Sequence, residues 1–168
     1  MPTITEKNTH PQTSSNITPS RDSLNPTLPA IDIRRIYLQR GLTKKNIRDI
    51  YLMGLRFYEA QKFNEAFLCF HLITLLDWGD KKAWLGSAAC LEILKEYPMA
   101  ILCYTITTLI DSNDPMPLLR CFHCYLQNHD QKNALALLET AIKVADKNPD
   151  LYSALKDEAI TLKELLLK

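Results

Sequence analysis

Shifted by 34 residues, this chain falls onto itself. Ala66 meets Ala100 and Ala134, Phe70 meets Tyr104 and Leu138, Ile50 meets Trp84 and Leu118, and Phe57 meets Leu91 and Tyr125. A period of that length marks one supersecondary unit that cannot bury its apolar face alone and must stack on copies of itself. Within each period the apolar residues recur at helical spacing, with no sustained period-two alternation, so the unit is a pair of helices and the fold class is all-α. Punctuation agrees. Thr43 can cap a helix starting at Lys44, while Asp114 before Pro115 and Asn148 before Pro149 each place a capping side chain ahead of a proline in the first turn, where its missing N–H costs nothing. The pattern predicts helices at about 31–40, 44–60, 63–76, 81–94, 97–110, 115–127, 131–145 and 150–167. The connections are short, so successive helices should run antiparallel.

The first 29 residues are different in kind. They hold five of the nine prolines and ten serines and threonines, with no aromatic residue and no glycine. Such a segment has little apolar surface to offset the roughly 1–2 kcal/mol per residue that ordering the backbone costs. The expected organisation is therefore a disordered leader over 1–29 and a helical unit over 30–168.

The repeating unit resembles the tetratricopeptide repeat, two antiparallel helices with small residues at their crossing. Three repeats fit, near 47–80, 81–114 and 115–148, with a capping helix at 150–167 and another at 31–40; the resemblance implies a right-handed superhelix. Gly54 and Ala88 stand at the small position of the first helix, and Ala66, Ala100 and Ala134 at that of the second. Phe122 departs from the pattern. So do Trp78, Ser112 and Asp146, where these repeats often have proline, and Ile73 and Thr107, where they usually have alanine. An ordinary helical bundle with coincidental spacing is the competing architecture.

Helix 44–60 carries two apolar stripes. Ile50, Met53, Gly54 and Phe57 form one, to be covered by the partner helix, while Tyr51, Leu55 and Tyr58 form another at i, i+4 and i+7. Two faces need two partners. In stacked repeats the second stripe lines the concave surface, and its equivalents are Leu85, Ala89 and Glu92, then Leu119, His123 and Leu126. A groove built from these residues suits an extended apolar peptide, with tyrosine hydroxyls to bond its main chain. The alternative is that a terminal helix lies across the stripe and buries it. The lysine and asparagine clamp by which other tetratricopeptide domains hold acidic chaperone tails is missing, since Tyr51 and Leu55 occupy its places.

The chain from about Leu42 to Leu167 resembles the class II, or translocator, chaperones of bacterial type III secretion. The resemblance rests on IYLMGLRFYEAQKFNEAFLCF (50–70), LLDWGDKKAWLGSAACLEILKEYPMAILCY (75–104) and PLLRCFHCYLQNHDQKNALALLETA (117–141). It implies a cytosolic chaperone that guards hydrophobic translocators before export and holds a client segment of the pattern P-x-L-x-x-P in its groove. It also implies a homodimer formed through the amino-terminal part. A scaffold joining partners within the secretion apparatus or a regulatory complex is the competing function.

Other functions have less behind them. A formal net charge of +1 supplies no strong field for nucleic acid or an anionic membrane, and no apolar run is long enough to span a bilayer. Neither partner is expected. Cys121-x-x-Cys124 invites a zinc or redox role, but both thiols fall inside a predicted helix, and Cys90 and Cys124, like Cys69 and Cys103, are 34 apart, as packing positions would be. No metal, no cofactor and no catalysis are expected, for the chain has no phosphate loop, nucleophile elbow or paired-histidine helix. Leu24-Asn25-Pro26-Thr27-Leu28-Pro29 has the composition that the groove is expected to bind, and is a candidate occupant of it.

Overall fold

The computed structural model describes residues 41–167, and among them every regular element is a helix. The helices are α1 (Lys44–Glu59), α2 (Phe63–Leu76), α3 (Lys81–Ile93), α4 (Tyr97–Ile110), α5 (Met116–Gln127), α6 (Gln131–Ala145) and α7 (Pro149–Leu166). The helix expected at 31–40, the leader and the Leu24–Pro29 segment lie outside the described residues. Each helix packs chiefly on the one before and the one after it in sequence, the quasi-linear packing of a tandem array. The architecture is that of three tetratricopeptide repeats followed by a closing helix.

Local chemistry sets the ends. Thr43 Oγ1 accepts the Asn46 N–H at 3.4 Å while Asn46 Oδ1 accepts the Thr43 N–H at 2.8 Å, a reciprocal cap on α1. Asp80 Oδ1 accepts from Ala83 N at 3.0 Å, and Asp130 Oδ1 from Asn133 N at 3.1 Å. Asp114 does not cap as expected: its Oδ1 accepts from Met116 N at 2.9 Å, but the helix starts at Met116 with Pro115 at its N-cap and no side-chain cap. Asn148 makes no side-chain cap, so Pro149 alone marks the start of α7.

The turn inside each hairpin repeats with the same 34-residue period. Gln61, Lys95 and His129 have φ of 58°, 63° and 60°. In each case the N–H of the next residue reaches back to the carbonyl five positions earlier: Lys62 to Phe57 at 2.8 Å, Glu96 to Leu91 at 2.9 Å, Asp130 to Tyr125 at 2.9 Å. This closes the helix end by a left-handed residue, a place usually given to glycine because other L-residues lose about 1–2 kcal/mol there. Lys95→Gly is therefore expected to stabilise the fold by about 0.5–1 kcal/mol, after allowing for glycine's greater freedom in the unfolded chain. A higher urea midpoint at unchanged slope would show it; a lower midpoint would refute it.

The core forms where successive hairpins meet. Ala66, Phe70 and Cys90 make one cluster; Trp84, Ala88, Leu91, Ala100, Cys103, Tyr104, Cys121 and Cys124 a second; Leu118, Leu119, Phe122, Ala134, Leu138, Ala141, Val144 and Ala159 a third. The alanines 66, 88, 100 and 134 are wholly buried, as small residues at crossings should be. Phe122 is buried in the third cluster, where Ala134 and Ala141 leave room for its ring. Met53, expected under the partner helix, is instead 45% exposed, so the inner stripe of α1 rests on Gly54 and its half-buried neighbours. Within the second repeat, Lys81 Nζ at its start donates to Asp111 Oδ2 and Asp114 Oδ2 at its end, both at 2.7 Å. Burial alone would lower the Lys81 pKa, but the two carboxylates outweigh it and hold the ammonium above its ordinary value.

Candidate functional site

On one face of the stack, α1 and α3 leave a trough between them. Tyr51, Leu55 and Tyr58 from α1 and Leu85 and Ala89 from α3 line a cavity of about 240 Å³, with Lys82 and Gly86 completing it and Phe70 as its floor. The floor depends on two glycines. A Cβ at Gly86 would lie 2.7 Å from Phe70 Cγ, and one at Gly54 2.9 Å from Phe70 Cε1. The ring is thus clamped between the helices, and Tyr51 leans on it with centroids 5.5 Å apart at 60°. Tyr58 meets Phe63 edge-on at 5.4 Å.

The trough continues into a second cavity of about 400 Å³, which shares Tyr58, Leu85 and Ala89 with the first and adds Glu92, Ile93, Tyr104, Met116 and Arg120. Its far wall is polar. Tyr104 Oη donates to Glu92 Oε2 at 2.6 Å, and Arg120 Nη1 stands 3.8 Å from Glu92 Oε1. Burial and the adjoining carboxylate raise the Tyr104 pKa far above its usual range, so the hydroxyl stays a donor. Burial, then Asp80, raises that of Tyr51; burial also leads the increase at Tyr58. Among the described residues no protein group bonds either of these two hydroxyls.

Five of the eight expected groove residues come together here: Tyr51, Leu55, Tyr58, Leu85 and Ala89. Leu119, His123 and Leu126 do not. Leu119 is only 3% exposed, inside the third core cluster, against which Leu126 also packs. His123 is half-buried and sits edge-on to Phe122 at 4.9 Å. The physical reason is α7: its Ala159, Leu155, Leu162 and Leu166 join the cluster that takes up Leu119 and Leu126 of α5. The expected alternative, a terminal helix covering the stripe, therefore holds at the carboxy-terminal end, in the third repeat; the amino-terminal helix of that alternative lies outside the described residues.

Sequence reasoning missed Phe70, Lys82, Gly86, Ile93, Tyr104, Met116 and Arg120. A signal existed for four of them. Lys82 and Met116, and Gly86 and Arg120, are pairs 34 apart lying three residues ahead of Leu85 and Ala89 and of their equivalents, so the concave stripe is wider than one row. The cysteines, in contrast, face inward. Cys121 and Cys124 belong to the second core cluster, and burial pushes their thiols up to about 11 and about 12, with Cys90 at about 12. They are protonated at neutral pH.

The tandem hairpins match solved structures. PcrH bound to the chaperone-binding region of PopD superposes with a TM-score of 0.69 at 28% identity, covering 76% of this chain and 95% of that one. PcrH with the chaperone-binding region of PopB gives 0.66 at 29%, covering 72% and 97%. The solved structures that this chain resembles include translocator chaperones of type III secretion. The translocator chaperone SycD of Yersinia enterocolitica shares the fold, with a TM-score of 0.67 at 22% identity over 77% of this chain and 96% of that one. In sequence, the chain is 24% identical over 112 residues to the low calcium response locus protein H of Yersinia pestis, covering 67% of this chain. It spans 64% of the length of that curated relative. No family model matches. No described helix is long and apolar enough to cross a membrane.

Proposed function

We propose that this protein is a cytoplasmic bacterial chaperone that holds hydrophobic translocator proteins of a type III secretion system, gripping an extended client segment between α1 and α3. The observation that carries the reading is the open apolar trough over Phe70, with Tyr51, Leu55, Tyr58, Leu85 and Ala89 as its walls. Support comes from the relatives, two of whose structures contain the chaperone-binding regions of PopD and PopB. In this reading residues 30–168 are the holding unit, residues 1–29 a leader, and a homodimer forms through the segment before α1.

The physics is holding rather than converting. A bound apolar side chain that fills the trough gains about 1.5–3 kcal/mol from leaving water. Tyrosine hydroxyls offer donors to client carbonyls, which an extended chain otherwise leaves unpaired. Binding the unfolded client removes it from aggregation by mass action and needs no nucleotide.

Tyr58 lines both cavities, so its removal should matter most. Tyr58→Ala is expected to weaken client binding by about 1 kcal/mol or more, roughly fivefold, with helicity unchanged. Co-expression with the neighbouring translocator genes, then mass spectrometry of what co-purifies, supplies the client; titration with its chaperone-binding segment reads the affinity. Undiminished binding by the Tyr58→Ala protein would remove the trough from the mechanism.

A further inference from the structure

Resting on the trough as a peptide site, we infer that its second cavity is a subsite for a client carboxylate, read by Arg120. The trough is not uniformly apolar. Its charged lining is Lys82, Glu92 and Arg120, a local excess of one positive charge. The overall formal charge is only +1, so this is local recognition and not long-range attraction.

Glu92 does not satisfy Arg120. One of its oxygens, Oε2, takes the Tyr104 hydroxyl at 2.6 Å, and the other lies 3.8 Å from Arg120 Nη1, beyond hydrogen-bond reach. The Arg120 side chain is 55% exposed while that of Glu92 is 22% exposed. Among the described residues no hydrogen bond engages the Arg120 guanidinium, and such a planar fork facing a groove suits a carboxylate, which it can meet through two parallel bonds. Tyr104 holds Glu92 back and fixes the wall against which an incoming acid would lie.

The repeat also sets the spacing. Arg120 occupies in α5 the position that Gly86 occupies in α3, over the Phe70 floor. The two cavities adjoin through Tyr58, Leu85 and Ala89, and a span on the order of 10 Å between them is one an extended chain covers in roughly three residues. The preferred client segment therefore carries an Asp or Glu three residues from the apolar side chain that fills the first cavity.

The test uses the full chain and labelled synthetic peptides of proline, leucine and alanine, with Glu, Gln or Lys three residues before or after a single leucine. Anisotropy titration should show one Glu peptide binding about three- to fivefold tighter than its Gln counterpart, a size fitting a partly exposed ion pair. The Lys peptide should bind weakest. Arg120→Gln should erase the preference without lowering the melting temperature, and Arg120→Glu should reverse it towards the Lys peptide. Glu92→Gln, which still accepts from Tyr104, should sharpen the preference for Glu. Equal binding of the three peptides, or a preference that survives in Arg120→Gln, overturns the subsite while leaving the trough intact. Failure of every peptide to bind the wild-type protein, with Tyr58→Ala no different, overturns the trough and the subsite together.

Discussion

Ala100→Glu is expected to destroy cooperative folding of the second hairpin. Ala100 is wholly buried in the first turn of α4, in the cluster with Trp84, Leu91 and Cys121. A carboxylate there has no partner, and burying an unpaired charge costs several kcal/mol even when the group protonates to escape it. The added volume strains the crossing further. Against a total stability of about 5–15 kcal/mol, that is enough to lower the melting temperature by about 10 °C or more, or to leave the second hairpin unfolded. Circular dichroism through a thermal melt reads it directly, with Ala100→Ser as a milder control. A melt within two or three degrees of wild type would mean that α4 does not cross its neighbours at Ala100.

Gly86→Ala should be destabilising, although simple helix propensity says the opposite. Replacing a mid-helix glycine by alanine ordinarily gains about 1 kcal/mol. Here the new methyl would stand 2.7 to 2.9 Å from three atoms of the Phe70 ring, and the ring cannot retreat because Gly54 presses on it from α1. Overpacking of this kind costs about 1–3 kcal/mol, so the net effect is a loss. The same methyl raises the trough floor, and client-segment affinity should fall at least about fivefold, as for loss of a buried anchor. Phe70→Leu added to Gly86→Ala should recover part of the stability by removing the planar ring. A higher melting temperature for the single variant would show that the ring is not pinned.

How far the sequence could be read depended on whether the relevant partners were one period apart. Repeat-equivalent positions were legible: α1 to α7 begin and end within a residue or so of expectation, and Ala66, Ala100 and Ala134 sit at crossings, since a helix crossing repeated every 34 residues needs a small side chain at that same interval. The near half of the site was legible for the same reason. Tyr51, Leu55 and Tyr58 share a helical face that their own hairpin does not use. What failed was the assumption that every repeat has the same surroundings. Leu119 obeys the period, but the last repeat meets α7 in place of another hairpin, and the residues that close an array are set by where it stops. Phe70 was missed because it belongs to the core by pattern and to the site only because two glycines let its buried ring form the base of the trough. The left-handed Gln61, Lys95 and His129 gave no composition signal at all, since none is a glycine.

The closing off of the third repeat limits what the protein can do for its client. The trough consists of two adjoining cavities that share Tyr58, Leu85 and Ala89, room for roughly six extended residues at about 3.3 Å each. A grip that short cannot wrap a membrane-seeking protein from end to end. In the proposed function it would work as a hand on a handle, sparing one strip of the cargo from its neighbours. A handle would also be simple to let go: once about six residues leave the trough, no contact to the described residues of that groove is left to break.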